Sequence, residues 1–316
     1  MATYTPEELR KLLASKTWIS PYSRVVAMVD ERHQLIELVE EHARGRCIGG
    51  AAWAHHHYTK NSPLVISSRR EGVRIHYLLK MGSSRVKLSS TTSPAAIESA
   101  EVEGGYVKIT YSGLAGAGVA AAYSRALASG PVKVEVHEWG GGRKLGRASI
   151  WLPLHYKLVV GVDDTDSAEE GATWALMNEI AYKAESEGLA HYVDHAIVQL
   201  YPEAPHKTLN CVSVAVSFAV KPDAIASLES FLIRKLRENT LSQHTAMAMY
   251  LGMQPPQLLK NYAAKAKRQI VALDEALEIA HTCGVQLREI TGRRGFIGAL
   301  AAIPYAANPE EAVLLD

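Results

Sequence analysis

The chain holds 316 residues, 47% of them apolar and 21% charged, and its 34 Lys and Arg nearly cancel 33 Asp and Glu to leave a formal charge of +1. That composition fits an ordinary globular protein with room for two domains and excludes a disordered or fibrous chain. No stretch nears the roughly 18 uninterrupted apolar residues of a membrane span, and the opening MATYTPEELRKLL reads as an amphipathic helix rather than a signal peptide, so a cytoplasmic protein is expected.

Along the first half, Thr5, Pro6 and Glu8 form a capping box that predicts a helix to about Lys16. Strands are expected at 24–30, 65–68, 73–79, 86–89, 107–111, 132–137 and 148–152, with one helix from Leu114 to about Ala128. From His155 the pattern changes. A strand over 157–162 leads to a helix at 168–187, strands at 192–200 and 212–220, and a helix at 222–238. Helical segments follow at 243–251 and 256–282, the latter closed by Gly284, then a strand at 285–290, a Gly/Arg turn and a short final helix. The fold class is therefore α/β (α+β): an α+β domain with a largely antiparallel sheet over 1–153, then an α/β domain with a βαββα core over 154–316. Residues 1–153 carry 20 Lys and Arg against 13 Asp and Glu (+7), and residues 154–316 carry 14 against 20 (−6). Such halves either attract each other or dock an anionic substrate on the basic one.

The chemistry concentrates in KLVVGVDDTDS, where an apolar strand runs into Asp163, Asp164 and Asp166. Carboxylates this close raise one another's pKa unless a cation sits between them, and an oxygen-only set favours Mg²⁺ over zinc. Capping by Asp166 or Ser167, whose partner is Glu170, accounts for one acid but not three. Strand alternation puts Asp163 and Asp164 on opposite faces, so one of them is expected to share a metal with Asp166. Gly161, Thr165 and Ser167 flank the run as candidate backbone or hydroxyl contacts. Thr173 is a candidate phosphate contact or acceptor, although it also falls on an apolar face with Met177, Ile180 and Ala184.

Two later segments could supply cationic partners. The loop 200–210, LYPEAPHKTLN, offers Lys207, Thr208 and Asn210 at a strand mouth, or serves only as a stiff connection. The turn TGRRGFIGALAAI places Gly292, Arg293, Arg294, Gly295 and Gly298 at the opening of a helix, where free amides and guanidinium groups would cradle an anion. Gly113, Gly116 and Gly118 mark either a phosphate site or close helix–sheet packing. His55, His56 and His57, read as extended, point apart and receive no role. Cys47, Cys211 and Cys283 have no CxxC spacing, which argues against a zinc ribbon.

GVDDTDS with Thr173 downstream, YPEAPHKTLN and GRRGFIGALAAI, in that order, resemble the kinase domain of TiaS, the archaeal agmatinylcytidine synthetase of an isoleucine tRNA. The resemblance covers roughly residues 155–305. It implies ATP and Mg²⁺ on the acidic motif, phosphorylation of a tRNA cytidine, and a self-modified threonine at the position of Thr173. The loop reads KTLN where that family has approximately KTRGN, and the OB fold and cysteine zinc ribbon that hold tRNA there have no counterpart, which argues against tRNA binding of the TiaS type. The whole chain, with HHHYTKNSPLV and YSGLAGAGV ahead of that domain, resembles the methanogenesis marker protein 11 family, which implies a methane-metabolising archaeal setting. The expected function is an ATP- and Mg²⁺-dependent phosphotransferase. Asp164, Asp166, Lys207, Arg293, Arg294 and Thr173 would do the chemistry, Asp163, Asp164 and Asp166 would hold the metal, and the acceptor is a small molecule, protein or RNA. The alternative is a nucleotide-binding assembly or regulatory factor without turnover.

Overall fold

Period-two alternation builds the first half: Val25, Ala27 and Val29, then Ile36 and Leu38, then Ile75, Tyr77 and Leu79 turn one face of each strand into a shared core. The computed structural model describes residues 2–315 and divides them into two units, one ending at His155 and one starting at Tyr156. The first unit contains β1 (Ala2–Tyr4), α1 (Pro6–Leu12), β2 (Arg24–Asp30), β3 (Leu35–Glu41), α2 (Ile48–Asn61), β4 (Val65–Glu71) and β5 (Arg74–Lys80). After them come β6 (Gly82–Ser83), β7 (Ala95–Glu103), β8 (Tyr106–Gly113), α3 (Gly116–Val119), β9 (Lys133–Gly141) and β10 (Lys144–Pro153). All strand pairings within it are antiparallel among the described residues, in the orders β2-β3-β5-β4 and β1-β9-β10-β8-β7-β6.

A charge sits in the middle of this apolar core. Arg125, fully buried, makes a two-pronged ion pair with buried Glu40 (Nε–Oε1 2.7 Å, Nη2–Oε2 2.9 Å). Arg125 also donates to the Tyr58 hydroxyl (2.9 Å), and Tyr111 donates to Glu40 (2.8 Å). The guanidinium lies 4.3 Å from the ring centres of Tyr58 and Tyr111 and 4.7 Å from that of Tyr22. Fork geometry, hydrogen bonds and ring faces together offset the desolvation of two ions.

The second unit contains β11 (His155–Asp163), α4 (Thr173–Ser186), β12 (His191–Gln199), β13 (Val212–Val220), α5 (Ile225–Asn239) and β14 (Ala246–Leu251). It continues with α6 (Gln257–Arg268), α7 (Leu273–Cys283), β15 (Gln286–Glu289), α8 (Phe296–Ala302) and α9 (Pro309–Ala312). Its sheet is antiparallel in the order β12-β13-β11-β14-β15. Leu158, Val160 and Val162 of β11 pack with α4 and α5, while Val159 joins the core formed with α6, α7 and α8. The acidic run therefore leaves the central strand of a three-layer α/β/α unit.

Several boundaries differ from the sequence reading. The segment 243–251 is not helical but contains β14, whose Ala and Met residues favour a helix until burial on both faces overrides propensity. The expected helix 256–282 breaks at Gln269–Ala272, leaving α6 and α7. Residues 86–89 form no strand, only an isolated Ser89–Ser93 bridge, and α1 ends at Leu12 in single turns. The helix expected at 114–128 is only α3 followed by one π-helical turn, Ala120–Ser124. Glycines explain its seat: a Cβ on Gly146 would lie 2.2 Å from the Gly118 carbonyl oxygen, and one on Gly113 would lie 2.5 Å from Ala117. These glycines serve close packing. His55, His56 and His57 lie in α2, not in an extended segment; His55 bonds Ser68 (2.9 Å) while His57 packs on Trp53. Among the described residues no helix is long and apolar enough to cross a membrane.

Replacing Glu40 by Gln leaves the Arg125 charge buried without its counter-ion and should destabilise the protein by roughly 3–5 kcal/mol in urea unfolding. The joint Glu40→Leu/Arg125→Met change should recover most of that loss.

Candidate active site

The strand β11 ends on Asp163, and the chain then breaks the alternation at once. Asp164 has φ +59°, a left-handed conformation that a non-glycine residue adopts at a steric cost. The conformation is held from outside. The Asp164 carbonyl accepts from Thr245 Oγ1 (2.6 Å), and the Thr165 carbonyl accepts from Leu241 N (2.8 Å) and Thr240 Oγ1 (3.1 Å). Because Asp164 is no longer in a pleat, the opposite-face expectation fails, and Asp163, Asp164 and Asp166 line the same cavity of about 930 Å³.

Each carboxylate has a different set of partners. Asp163 Oδ1 accepts the Asp164 amide (2.8 Å), and its other oxygen occupies the space that a side chain on Gly298 would fill, since a Cβ there would lie 1.8 Å from Oδ2. Burial first, then Asp164 and Asp166, push the Asp163 carboxyl well above the usual carboxylate range despite the opposing pull of Arg294. Asp164 is paired to the Arg294 fork (Nε–Oδ2 2.9 Å, Nη2–Oδ1 3.3 Å). Asp166 accepts Thr173 Oγ1 on Oδ1 (3.2 Å) and Thr208 Oγ1 on Oδ2 (3.1 Å).

Thr173 is the first residue of α4, not two turns inside it. The helix starts late because Gly171 (φ +103°) turns the chain, and because Ser167 caps a local turn, accepting from Glu170 N (3.0 Å), instead of capping the helix. Thr173 is buried with Met177, Ile180 and Ala184 as the periodicity indicates, yet its hydroxyl also accepts from Thr165 Oγ1 (2.9 Å). Packing and polar readings hold together at that position.

The loop between β12 and β13 brings Lys207, Thr208 and Asn210 to the cavity; the Lys207 ammonium donates to the Pro202 carbonyl of its own loop. Arg294 lines the cavity, whereas Arg293 is exposed and does not. The expected amide cradle is occupied: Gly292 N donates to Thr245 O (3.3 Å) and Gly295 N to His244 O (3.0 Å). Side chains are excluded there by packing, with a Cβ on Gly292 only 2.3 Å from Gln243 O. Gly161 likewise lies inside β11, where a Cβ would come within 1.8 Å of Ala299 O, and it does not line the cavity. Sequence reasoning missed the apolar wall formed by Ile270, Val271 and Leu273, whose signal was the β-branched pair interrupting a long helical pattern. Gly298, expected with the cradle glycines of the turn, lies inside α8, where its lack of a side chain makes room for the Asp163 carboxylate.

An oxygen-only donor set, one of whose carboxyls is pushed well above its usual range by burial and by two other acids, fits a hard divalent cation, which would supply positive charge there.

Several known proteins are similar to this chain. Residues 159–224 match the family model of the TiaS TCKD domain. The chain is 44% identical over 287 residues to the uncharacterized protein MJ0921 of Methanocaldococcus jannaschii, covering 91% of this chain and 94% of that protein, and it belongs to the same family. The isoleucine-tRNA 2-agmatinylcytidine synthetase TiaS of Pyrococcus horikoshii is 29% identical over 155 residues, 48% of this chain and 36% of the enzyme, so the chain spans about a third of that relative's length. A crystal structure of a TiaS–tRNA–ATP complex has 26% identity and a TM-score of 0.43, covering 51% of this chain and 37% of that one.

Two predictions follow from the geometry. Burial, with the nearby Asp163 charge, pushes the Cys211 thiol up to about 11, so iodoacetamide at pH 8 should modify exposed Cys47 first. The Cys211 rate should then rise about tenfold per pH unit until about pH 11, measured by mass spectrometry. Gly298→Ala should drive the Asp163 carboxyl from its seat and cost about 1–3 kcal/mol of stability in urea unfolding.

Proposed function

We propose that the second unit binds ATP with Mg²⁺ and transfers a phosphoryl group to an acceptor oxygen. The observation that carries this reading is the convergence of Asp163, Asp164 and Asp166 with Arg294, Lys207 and Thr208 around one cavity. At about 930 Å³ the cavity is within the range of nucleotide pockets, and its Ile270, Val271 and Leu273 wall suits a flat apolar base. The likeness of residues 159–224 to the TiaS TCKD domain supports the same reading.

In this mechanism Asp163, Asp164 and Asp166 would hold the cation, which would supply positive charge to offset that of the phosphates. Arg294 presents a planar fork suited to phosphate oxygens, and Lys207 adds a mobile point charge from the facing loop. Thr173 and Thr208 orient Asp166 through its two oxygens. Thr165 fixes Thr173 in turn. Arg293, outside the cavity, takes no part in this scheme. The names of the TiaS relatives favour RNA among acceptor classes, and the setting is the cytoplasm of a methane-metabolising archaeon.

A second reading, a nucleotide-binding factor without turnover, is favoured by the engagement of both cations: Lys207 on the Pro202 carbonyl and Arg294 on Asp164. Incubation with γ-labelled Mg-ATP and an RNA, protein or metabolite fraction, beside Asp166→Asn, separates them. Label leaving ATP in the native protein, and falling at least a hundredfold in the variant, supports transfer. Mg-ATP binding with no loss of label supports the factor. No Mg-ATP binding by calorimetry sinks both.

A further inference from the structure

The first unit carries four aromatic rings in series that the ATP site does not use. Trp18 meets Tyr123 edge-on at 5.7 Å, Tyr123 stacks on Trp139 at 5.4 Å and 30°, and Trp139 meets Tyr4 at 5.9 Å. The two indoles are open to solvent, Trp18 at 53% and Trp139 at 37%, while Tyr123 is buried and fixes the row from beneath, its hydroxyl donating to the Trp139 carbonyl (3.3 Å). A fold that only needed apolar burial would not leave two tryptophans exposed on one rigid support. The ring contacts restrict the two exposed indoles, which lowers the entropic cost of holding a ligand against them.

Cations accompany the rings. Lys16 lies over the Trp18 ring (5.5 Å), and Lys11, Arg143 and Lys144 are exposed close in sequence to the two indoles. Among the described residues none of these four makes an ion pair with a carboxylate. The nearby acids are Glu7, Glu8 and Glu138, of which Glu8 is tied to the Thr5 backbone (2.8 Å). The unit as a whole holds 20 Lys and Arg against 13 Asp and Glu. Two exposed indoles on a fixed support, with Lys16 over one of them and further exposed cations close in sequence to both, match the requirements of a single-stranded nucleic acid, whose bases stack and whose phosphates need neutralising. A sugar ligand would use the rings but leave the cations without purpose. A protein partner would use the rings but draw no benefit from an excess of like charge unless it were acidic.

We infer that the Trp18–Tyr123–Trp139–Tyr4 row is a binding platform for exposed bases of a single-stranded RNA segment. The choice of RNA over DNA rests on the reading of the second unit as a relative of a tRNA-modifying enzyme, and it assigns that unit's acceptor to RNA.

The test is fluorescence anisotropy of the full chain with a labelled, unstructured 12-nucleotide RNA, its DNA equivalent and an RNA duplex of the same length. Single-stranded RNA should bind best, quench tryptophan emission, and weaken steeply with salt. Trp18→Ala and Trp139→Ala should each weaken it roughly tenfold, Trp18→Phe should restore most of the loss, and Lys16→Gln/Lys144→Gln should flatten the salt dependence. Unchanged melting temperatures show that the exposed variants remain folded. The platform is overturned if RNA fails to bind at low salt, if either alanine variant binds as the native protein does, if DNA or duplex binds equally well, or if the surface captures an acidic protein in preference to RNA. RNA binding without Mg-ATP binding removes the ATP reading alone, and Mg-ATP turnover without RNA binding removes this inference alone.

Discussion

Three carboxylates at the end of one buried strand repel each other, and the second unit is organised around containing that repulsion. One acid is neutralised by the Arg294 fork, one is shared between two threonine hydroxyls, and one is pushed towards its protonated form in the space left by Gly298. The groups involved come from distant parts of the chain: the turn before α8 and α8 itself, the start of α4, and the loop between β12 and β13. The acidic run thus explains why those segments meet, because each brings a group that the carboxylates require.

The first unit solves a related problem in a different way. It buries a complete ion pair and surrounds the cation with tyrosine faces, whereas the acidic site leaves part of its charge balance open to a ligand. The contrast is between a charge completed inside the fold and charges left facing a cavity. Arg125 and Glu40 hold each other through two hydrogen bonds and each has a further bond to a tyrosine hydroxyl, while the acids at the end of β11 line an open cavity of about 930 Å³.

Much of this was legible in the sequence, and the exceptions have physical causes. The strand before the acids, the edges of β13 and the C-cap at Gly284 follow simple periodicity and turn chemistry. In contrast, β3 and β7 are masked by glutamates that strands usually avoid, Glu40 being one that faces Arg125 in the core. The helix α2 is hidden by Gly49, Gly50 and three histidines, all weak helix formers. At the site, the identity of the acids was plain but their shared orientation was not, since alternation cannot foresee a left-handed residue at Asp164. The glycines near Arg294 were visible as a pattern, yet only the folded backbone shows their amides already bonded.

The caged arginine also constrains how the first unit can change over generations. Glu40, Tyr58, Tyr111 and Arg125 come from β3, α2, β8 and the segment after the π-helical turn, so no short stretch of gene encodes the group. A single substitution at Glu40 or Arg125 strands a charge, and the route to an all-apolar replacement runs through an unstable intermediate. The four positions should therefore be inherited as a block: relatives that lose the arginine should have lost its counter-ion with it, while the surrounding strands drift freely.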